Sequence, residues 1–250
     1  MKIAAKVQYF GPNYYGFQRQ KNHLTVQGKL EETLSSMCGE TMFIHGAGRT
    51  DRDVSASGQV ISFDLNKKKI DLEDFRYHWN LILPDDIAIT KMVVVPDDFD
   101  ARHSCIGKRY IYRFCVGEKQ PLFIGRVAYL GNRAFDEKAC ESVLSLFIGH
   151  HCFHNFTNKK EDIDGFIRDI EYIHFKQKDG IYEVELKSNG FMTYQIRFMI
   201  GAAFKAAFHK LTLGEIKTRL DMDERNILPY KAPGEGLELA EVYYENDIFA

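Results

Sequence analysis

Apolar residues alternate with polar ones in several separate stretches of this chain, and a period of two admits half-buried β-strands and little else. Ile3, Ala5, Val7 and Tyr9 point one way in the first stretch, with Lys6 and Gln8 opposite. Gln59 to Leu65 alternates in the same manner. Tyr110, Tyr112, Phe114 and Val116 share one strand face, and Tyr182, Val184 and Leu186 share another. Lys178-Asp179-Gly180 precedes that last run, and an Asp-Gly pair between two strands is a strong hairpin signal. Ile87 to Val95 reads as a buried strand, and Leu237 to Tyr244 closes the chain as another.

Helical spacing fills the intervals. Thr25 can cap a helix whose apolar positions are Val26, Leu30, Leu34 and Met37, with Gly39 as its stop. Asp71 can cap a second, with Leu72, Phe75, Trp79 and Ile82 on one face and Pro84 beyond its end. A third spans about Asp136 to Gly149 and carries Ala139, Val143, Leu146 and Phe147. Met192 to Phe208 is apolar almost all round, the mark of a buried helix. These elements do not alternate as regular βαβ units, so the class is α+β. The expected architecture is two related α/β halves with mostly antiparallel sheets meeting at a central cleft. The polar stretch Pro96 to Ser104 suggests a boundary, giving an N-terminal half over 1–100 and a C-terminal half over 101–250.

Lys and Arg number 33 against 35 Asp and Glu, a net charge of −2, so any contact with nucleic acid must come from local patches. Lys67-Lys68-Lys69, Lys108-Arg109 with Arg113, and Lys159-Lys160 are the basic clusters, each read first as a solvated loop. The five cysteines are odd in number and form no Cys-x-x-Cys pair, which argues against disulfides and a thiolate zinc site. No apolar run reaches the length of a membrane span. The first residues read as a strand rather than a signal peptide, so the expected compartment is the cytoplasm.

Chemistry concentrates in Gly46-Ala47-Gly48-Arg49-Thr50-Asp51. Glycine lets backbone pass close to a ligand, arginine grips anions or stacks on bases, and a fixed carboxylate can act as a nucleophile. The same residues also suit a glycine-rich turn with a solvated Arg-Asp pair. Asp51 with Asp53 resembles a magnesium-binding pair, but Arg49 would compete with a cation, and no metal is expected. His150, His151, Cys152 and His154 match no closed four-ligand spacing and read as incidental residues of a helix-end loop. Neither a dinucleotide fingerprint nor a P-loop is present, so no cofactor is implied. Lys108 to Arg113 interleaves aromatics with cations, a surface that could stack an unpaired base or simply bury Tyr110 and Tyr112 in the core.

Taken in order, these segments resemble the TruA-type tRNA pseudouridine synthases. The carriers are Gly46 to Asp51 followed by Gly58-Gln59-Val60, and Tyr9 to Gln18 (Tyr-Phe-Gly-Pro-Asn-Tyr-Tyr-Gly-Phe-Gln). Leu83 to Ile87, Phe99 to Arg102, Lys108 to Tyr112, Asn189 to Gly201 and Ala232 to Leu237 follow in the same sequence order, so the resemblance covers essentially the whole chain. It implies isomerisation of uridine to pseudouridine in the anticodon stem-loop of tRNA, at positions 38 to 40, by a homodimer. By position, Asp51 matches the catalytic aspartate and Arg49 the arginine that holds the flipped-out nucleotide. Tyr110 matches the tyrosine that stacks on the target base, and Arg197 the arginine that pairs with the catalytic carboxylate. The rival is a catalytically weak RNA-binding paralogue that folds tRNA; retention of Asp51, Tyr110 and Arg197 together argues against it. One departure stands out. The family pattern Asp-Ala-Gly-Val-His-Ala reads here Asp51-Arg52-Asp53-Val54-Ser55-Ala56, with Asp53 at a glycine position and Ser55 at a histidine position.

Overall fold

The computed structural model describes residues 1–66, 69–159 and 163–250. Lys67, Lys68 and Lys160 of the basic clusters lie outside that set. The elements in chain order are β1 (Lys2–Tyr9), α1 (Val26–Cys38), β2 (His45–Gly46), β3 (Ser55–Asp64), α2 (Leu72–Ile82) and β4 (Ile87–Val95). They continue with β5 (Cys105–Cys115), β6 (Ala128–Tyr129), α3 (Glu137–Leu146), β7 (Gly149–Cys152), β8 (Ile167–Lys178) and β9 (Ile181–Ser188). Then come α4 (Gln195–Ala207), α5 (Leu213–Asp221) and β10 (Leu237–Tyr244). The chain forms two compact units, one of Met1–Gly107 with Glu238–Ala250 and one of Lys108–Leu237.

In the first unit the strand order is β4-β1-β3-β10, with β2 added on β3. β1 pairs antiparallel with both β3 and β4, whereas β10 runs parallel to β3 through Glu238↔Ser55 and Leu239↔Ala56. The cap residues behave as their chemistry demands. The Thr25 hydroxyl accepts from the Gly28 N–H at 3.3 Å, and Gly39 ends α1 in the left-handed region at φ 73°. The Asp71 carboxylate accepts from the Glu73 and Asp74 N–H groups and so starts α2. Trp79 is the anchor between helices and sheet: its ring meets Phe63 of β3 edge-on at 5.7 Å, and its Nε1 donates to Thr33 Oγ1 of α1 at 2.9 Å. Two expectations need correction. Ile82 is 46% exposed, because α2 ends there and the chain turns Leu83 inward instead. β4 is half-buried rather than buried, since it is the outer strand and Val94 faces out.

In the second unit β5-β9-β8-β7 form an antiparallel sheet, with β6 parallel to β5. The β8–β9 hairpin closes through Asp179 at φ 52° and Gly180 at φ 78°, the double positive φ that a two-residue primed turn requires. Tyr182 stacks on Phe114 with ring centroids 4.9 Å apart, and Phe114, Phe135 and Phe204 complete an aromatic core. α3 is shorter than its pattern suggests: Asp136 caps it and Phe147 ends it, so Gly149 already begins β7. The histidines 150 and 151 therefore sit on a short strand, not in a loop. α5 carries no strong apolar pattern but does carry a capping box, in which Glu215 N–H donates to Thr212 Oγ1 and Thr212 N–H donates back to Glu215 Oε2.

α4 is the buried helix: all of its thirteen residues except Arg197 and Lys205 are buried. Those two cations and Gly201 fall at intervals of four and line one stripe of the helix. The whole stripe faces the segment Tyr230 to Ala232. Arg197 Nε donates to the Ala232 carbonyl at 2.8 Å, and Lys205 Nζ lies 4.2 Å over the Tyr230 ring. A Cβ on Gly201 would come within 2.1 Å of the Tyr230 carbonyl oxygen, a backbone atom that cannot swing aside. Gly201→Ala is therefore expected to lower the unfolding free energy by about 1–3 kcal/mol. Urea unfolding of the variant checks this, and a change within error would mean that the segment is free to shift.

Candidate active site

The aspartate loop belongs wholly to the first unit and is held from three directions. Ala47 is fully buried and its N–H donates to the Val60 carbonyl at 2.8 Å, so the loop leaves β2 still tied to β3. Gln59, fully buried on β3, donates from Nε2 to the Gly48 carbonyl at 2.8 Å. Thr50 is buried, and its hydroxyl lies 2.8 Å from the Tyr9 hydroxyl of β1. The Thr50 carbonyl accepts from the Phe17 N–H at 3.1 Å. Gly16 makes that last approach possible: it sits at φ 92°, and a Cβ there would stand 2.8 Å from the Thr50 oxygen. Arg49 is exposed and Asp51 half-buried between these fixed points.

Asp51 also opens a tight turn. Its carbonyl accepts from the Val54 N–H at 3.2 Å, and Asp53, third in the turn, lies at φ 69°. That position in a type II turn needs positive φ, which explains why a glycine or an aspartate serves there. Ser55 follows, buried, with its Oγ accepting from the Gly11 N–H at 3.0 Å. Both departures from the Asp-Ala-Gly-Val-His-Ala pattern are thus accommodated by the backbone. Arg52 lies with its guanidinium 4.5 Å over the Tyr15 ring and its Nε 3.5 Å from Asp53 Oδ1.

Two of the sequence candidates belong to the second unit. Tyr110 on β5 is 6% exposed and has the Phe191 ring edge-on at 5.4 Å. Arg197 is held by the Ala232 carbonyl and lies 5.5 Å from the centre of the Tyr194 ring. The segment it grips is pinned on its other side by β5, where Tyr112 OH donates to the Pro233 carbonyl and Arg113 N–H donates to the Gly236 carbonyl. The Lys108-Arg109 and Arg113 cluster lies on strand β5 rather than in a solvated loop, and two of its cations are paired. Arg113 Nε meets Glu183 at 2.9 Å and Arg109 meets Glu185 at 3.2 Å, both on β9. Cross-strand carboxylates, invisible in a linear reading, neutralise these cations. Among the described residues no group of three or more His, Cys, Asp or Glu side chains is placed to hold a metal ion. His150 instead pairs with Asp169 at 2.6 Å, and Cys152 Sγ lies 3.0 Å from His154 Nδ1. No helix among the described residues is long and apolar enough to cross a membrane.

A family model described as tRNA pseudouridine synthase matches residues 5–104 and 143–245. The chain belongs to the tRNA pseudouridine synthase family. Its relatives include the protein named tRNA pseudouridine synthase A from Acetivibrio thermocellus, 33% identical over 238 residues that cover 95% of this chain and 97% of the relative. The protein of the same name from Streptococcus agalactiae is 34% identical over 250 residues, covering 98% and 96% of the two chains. That from Staphylococcus aureus is 29% identical over 247 residues, covering 99% and 92%. The matched spans take in the aspartate loop of this family member, all of α4 and the segment that Arg197 grips.

Two predictions follow from the loop's geometry. Asp53→Gly relieves a left-handed non-glycine residue and is expected to hold or raise stability, by up to about 1 kcal/mol, whereas Asp53→Val loses about 1–2 kcal/mol; thermal unfolding of both variants tests the assignment. The second concerns pH. Burial raises the Tyr9 phenol well above its ordinary value of 10.0, against a smaller opposing effect of its hydrogen bonds to Thr50 and Gln59. Above pH 10 the unfolded chain releases this proton while the folded chain keeps it, so stability present below pH 10 falls as pH rises further. Tyr9→Phe should flatten that alkaline decline, and an unchanged slope in pH-dependent unfolding would contradict the burial.

Proposed function

We propose that this chain isomerises uridine to pseudouridine in the anticodon stem-loop of tRNA, at positions 38 to 40, acting in the cytoplasm as a homodimer and without a cofactor or metal. Membership of the tRNA pseudouridine synthase family supports the activity. The observation that carries the assignment of the nucleophile is the clamp on its loop. Thr50 and the Asp51 backbone are hydrogen-bonded on both sides, while the Asp51 side chain stays half-buried and Arg49 exposed. A carboxylate held in this way loses little freedom when a reacting atom is placed against it.

The reaction exchanges one bond for another. The bond from the ribose C1′ to uracil N1 breaks, the base turns, and C1′ bonds to C5. The C5 proton departs and N1 gains one, so neither oxidant nor reductant is consumed. A uridine inside a stem must first leave the stack, at roughly a few kcal/mol. Arg49 is assigned to hold the extruded nucleotide, as an exposed guanidinium can. Tyr110 is assigned to stack on the base, which recovers about 1–3 kcal/mol. Tyr110 is 6% exposed, so stacking requires its surroundings, the Phe191 ring at 5.4 Å among them, to give way to the base. Arg197 is assigned to support the ionised carboxylate, since desolvation alone would favour the protonated and unreactive form.

Asp51→Ala should abolish pseudouridine formation on a tRNA transcript while leaving its affinity for that tRNA within a few-fold. Turnover retained by the variant would remove Asp51 from the nucleophile role. Wild-type protein that binds tRNA without converting it would favour the RNA-folding paralogue instead.

A further inference from the structure

The side chains beside the aspartate loop form a stack that the proposed reaction does not use. Arg52 lies over the ring of Tyr15, 4.5 Å from its centroid, and the other neighbour of Tyr15 is His23, stacked at 4.3 Å with an interplanar angle of 26°. The strip is outward-facing: the Arg52 side chain is 62% exposed, Tyr15 is 43% exposed and His23 is exposed. Its base is firm. Tyr15 N–H donates to the Leu24 carbonyl at 2.9 Å, and Gln20 Nε2 donates to the Tyr15 carbonyl at 2.8 Å, which closes residues 15–24 into a small loop. That loop is seated on the aspartate loop through Gly16 and Phe17.

Such an arrangement adds little to folding, because exposed ion pairs and exposed cation–π contacts are both weak. It does restrict where the guanidinium can go. Asp53 draws Nε, and the Tyr15 ring holds the guanidinium carbon 4.5 Å from its centroid. Arg52 places a positive charge between Asp51 and Asp53 in the chain, which lessens the repulsion an anionic backbone would meet there.

Resting on the proposed tRNA reaction, we infer that Arg52 is a further RNA-contacting residue, which grips a backbone phosphate next to the target uridine, with Tyr15 and Asp53 as its positioning residues. Asp53 is then the steering group for the cation that its own charge makes necessary. Arginine suits the task because its planar fork matches phosphate geometry while its face stays on an aromatic ring.

The test is equilibrium binding of a tRNA transcript at several salt concentrations, with steady-state kinetics on the same proteins. Loss of one phosphate contact should reduce the salt dependence of the binding constant by about one unit of log–log slope. Arg52→Ala is therefore expected to show that smaller slope, with KM raised roughly threefold to tenfold and kcat changed far less. Arg52→Lys should restore the slope but only part of the affinity, as it keeps the charge and loses the stack. Asp53→Asn retains a residue that tolerates the left-handed turn. It should tighten binding more in the Arg52→Ala background than in the wild type, a non-additivity that reads the steering. An unchanged slope and affinity for Arg52→Ala, with pseudouridine formation intact, would overturn the inference alone. Wild-type protein that forms no pseudouridine would instead remove the underlying reaction, and the binding comparison would still be readable.

Discussion

A buried hydrogen bond between the hydroxyls of Tyr9 and Thr50 ties the aspartate loop to the centre of its unit. Tyr9 is the last residue of β1, a strand paired on both sides, so the loop inherits the rigidity of the sheet. Gln59 extends the same network by donating to the Gly48 carbonyl at 2.8 Å and reaching the Tyr9 oxygen at 3.5 Å. Each bond contributes only about 1 kcal/mol net, but leaving any one of these buried groups unpaired costs about 1–3 kcal/mol. The arrangement is therefore closer to all-or-none than a sum of small terms suggests. Asp51 sits one residue beyond Thr50, so this network fixes the backbone that carries it.

Charge is handled locally. The chain carries a net charge of −2, and β5 places its Arg109 and Arg113 against Glu185 and Glu183. Near the aspartate loop, by contrast, Arg49 and Arg52 are exposed. A protein of this composition draws an anionic partner through where its arginines point, not through its total charge. Arg197 is treated differently again: the stripe of α4 that carries it is locked to the Tyr230–Ala232 segment, so its direction is set by helix packing.

Much of the fold was legible because its signals are short-range. The caps at Thr25 and Asp71, the stop at Gly39 and the Asp179-Gly180 turn are decided within four residues, and each stands where the sequence places it. The misreadings involve neighbours distant in sequence. Ile82 reads as a core position because helical phase is visible, while the turn that sends Leu83 inward just past the helix end is not. β4 looked buried because apolar content does not reveal which strand is outermost. α5 shows little apolar periodicity, and the capping box spelled by Thr212 and Glu215 is its one clear signal. In the aspartate loop the residue types were readable, but the Thr50 partner is 41 residues away in sequence and the Gly11 partner of Ser55 is 44 away. The Arg52–Tyr15–His23 stack was missed for the same reason, since nothing in a linear pattern places residue 15 beside residue 52.

In the proposed reaction the clamped loop delivers Asp51 to a uridine of the anticodon stem-loop. Pseudouridine mapping of cellular tRNA, in cells that lack the protein and in cells given it back, puts this to the test. Pseudouridine at positions 38 to 40 should disappear with the protein and return with it, while modification elsewhere in the tRNA stays unchanged. Retention of pseudouridine at all three positions in its absence, with a loss at some other site, would contradict it.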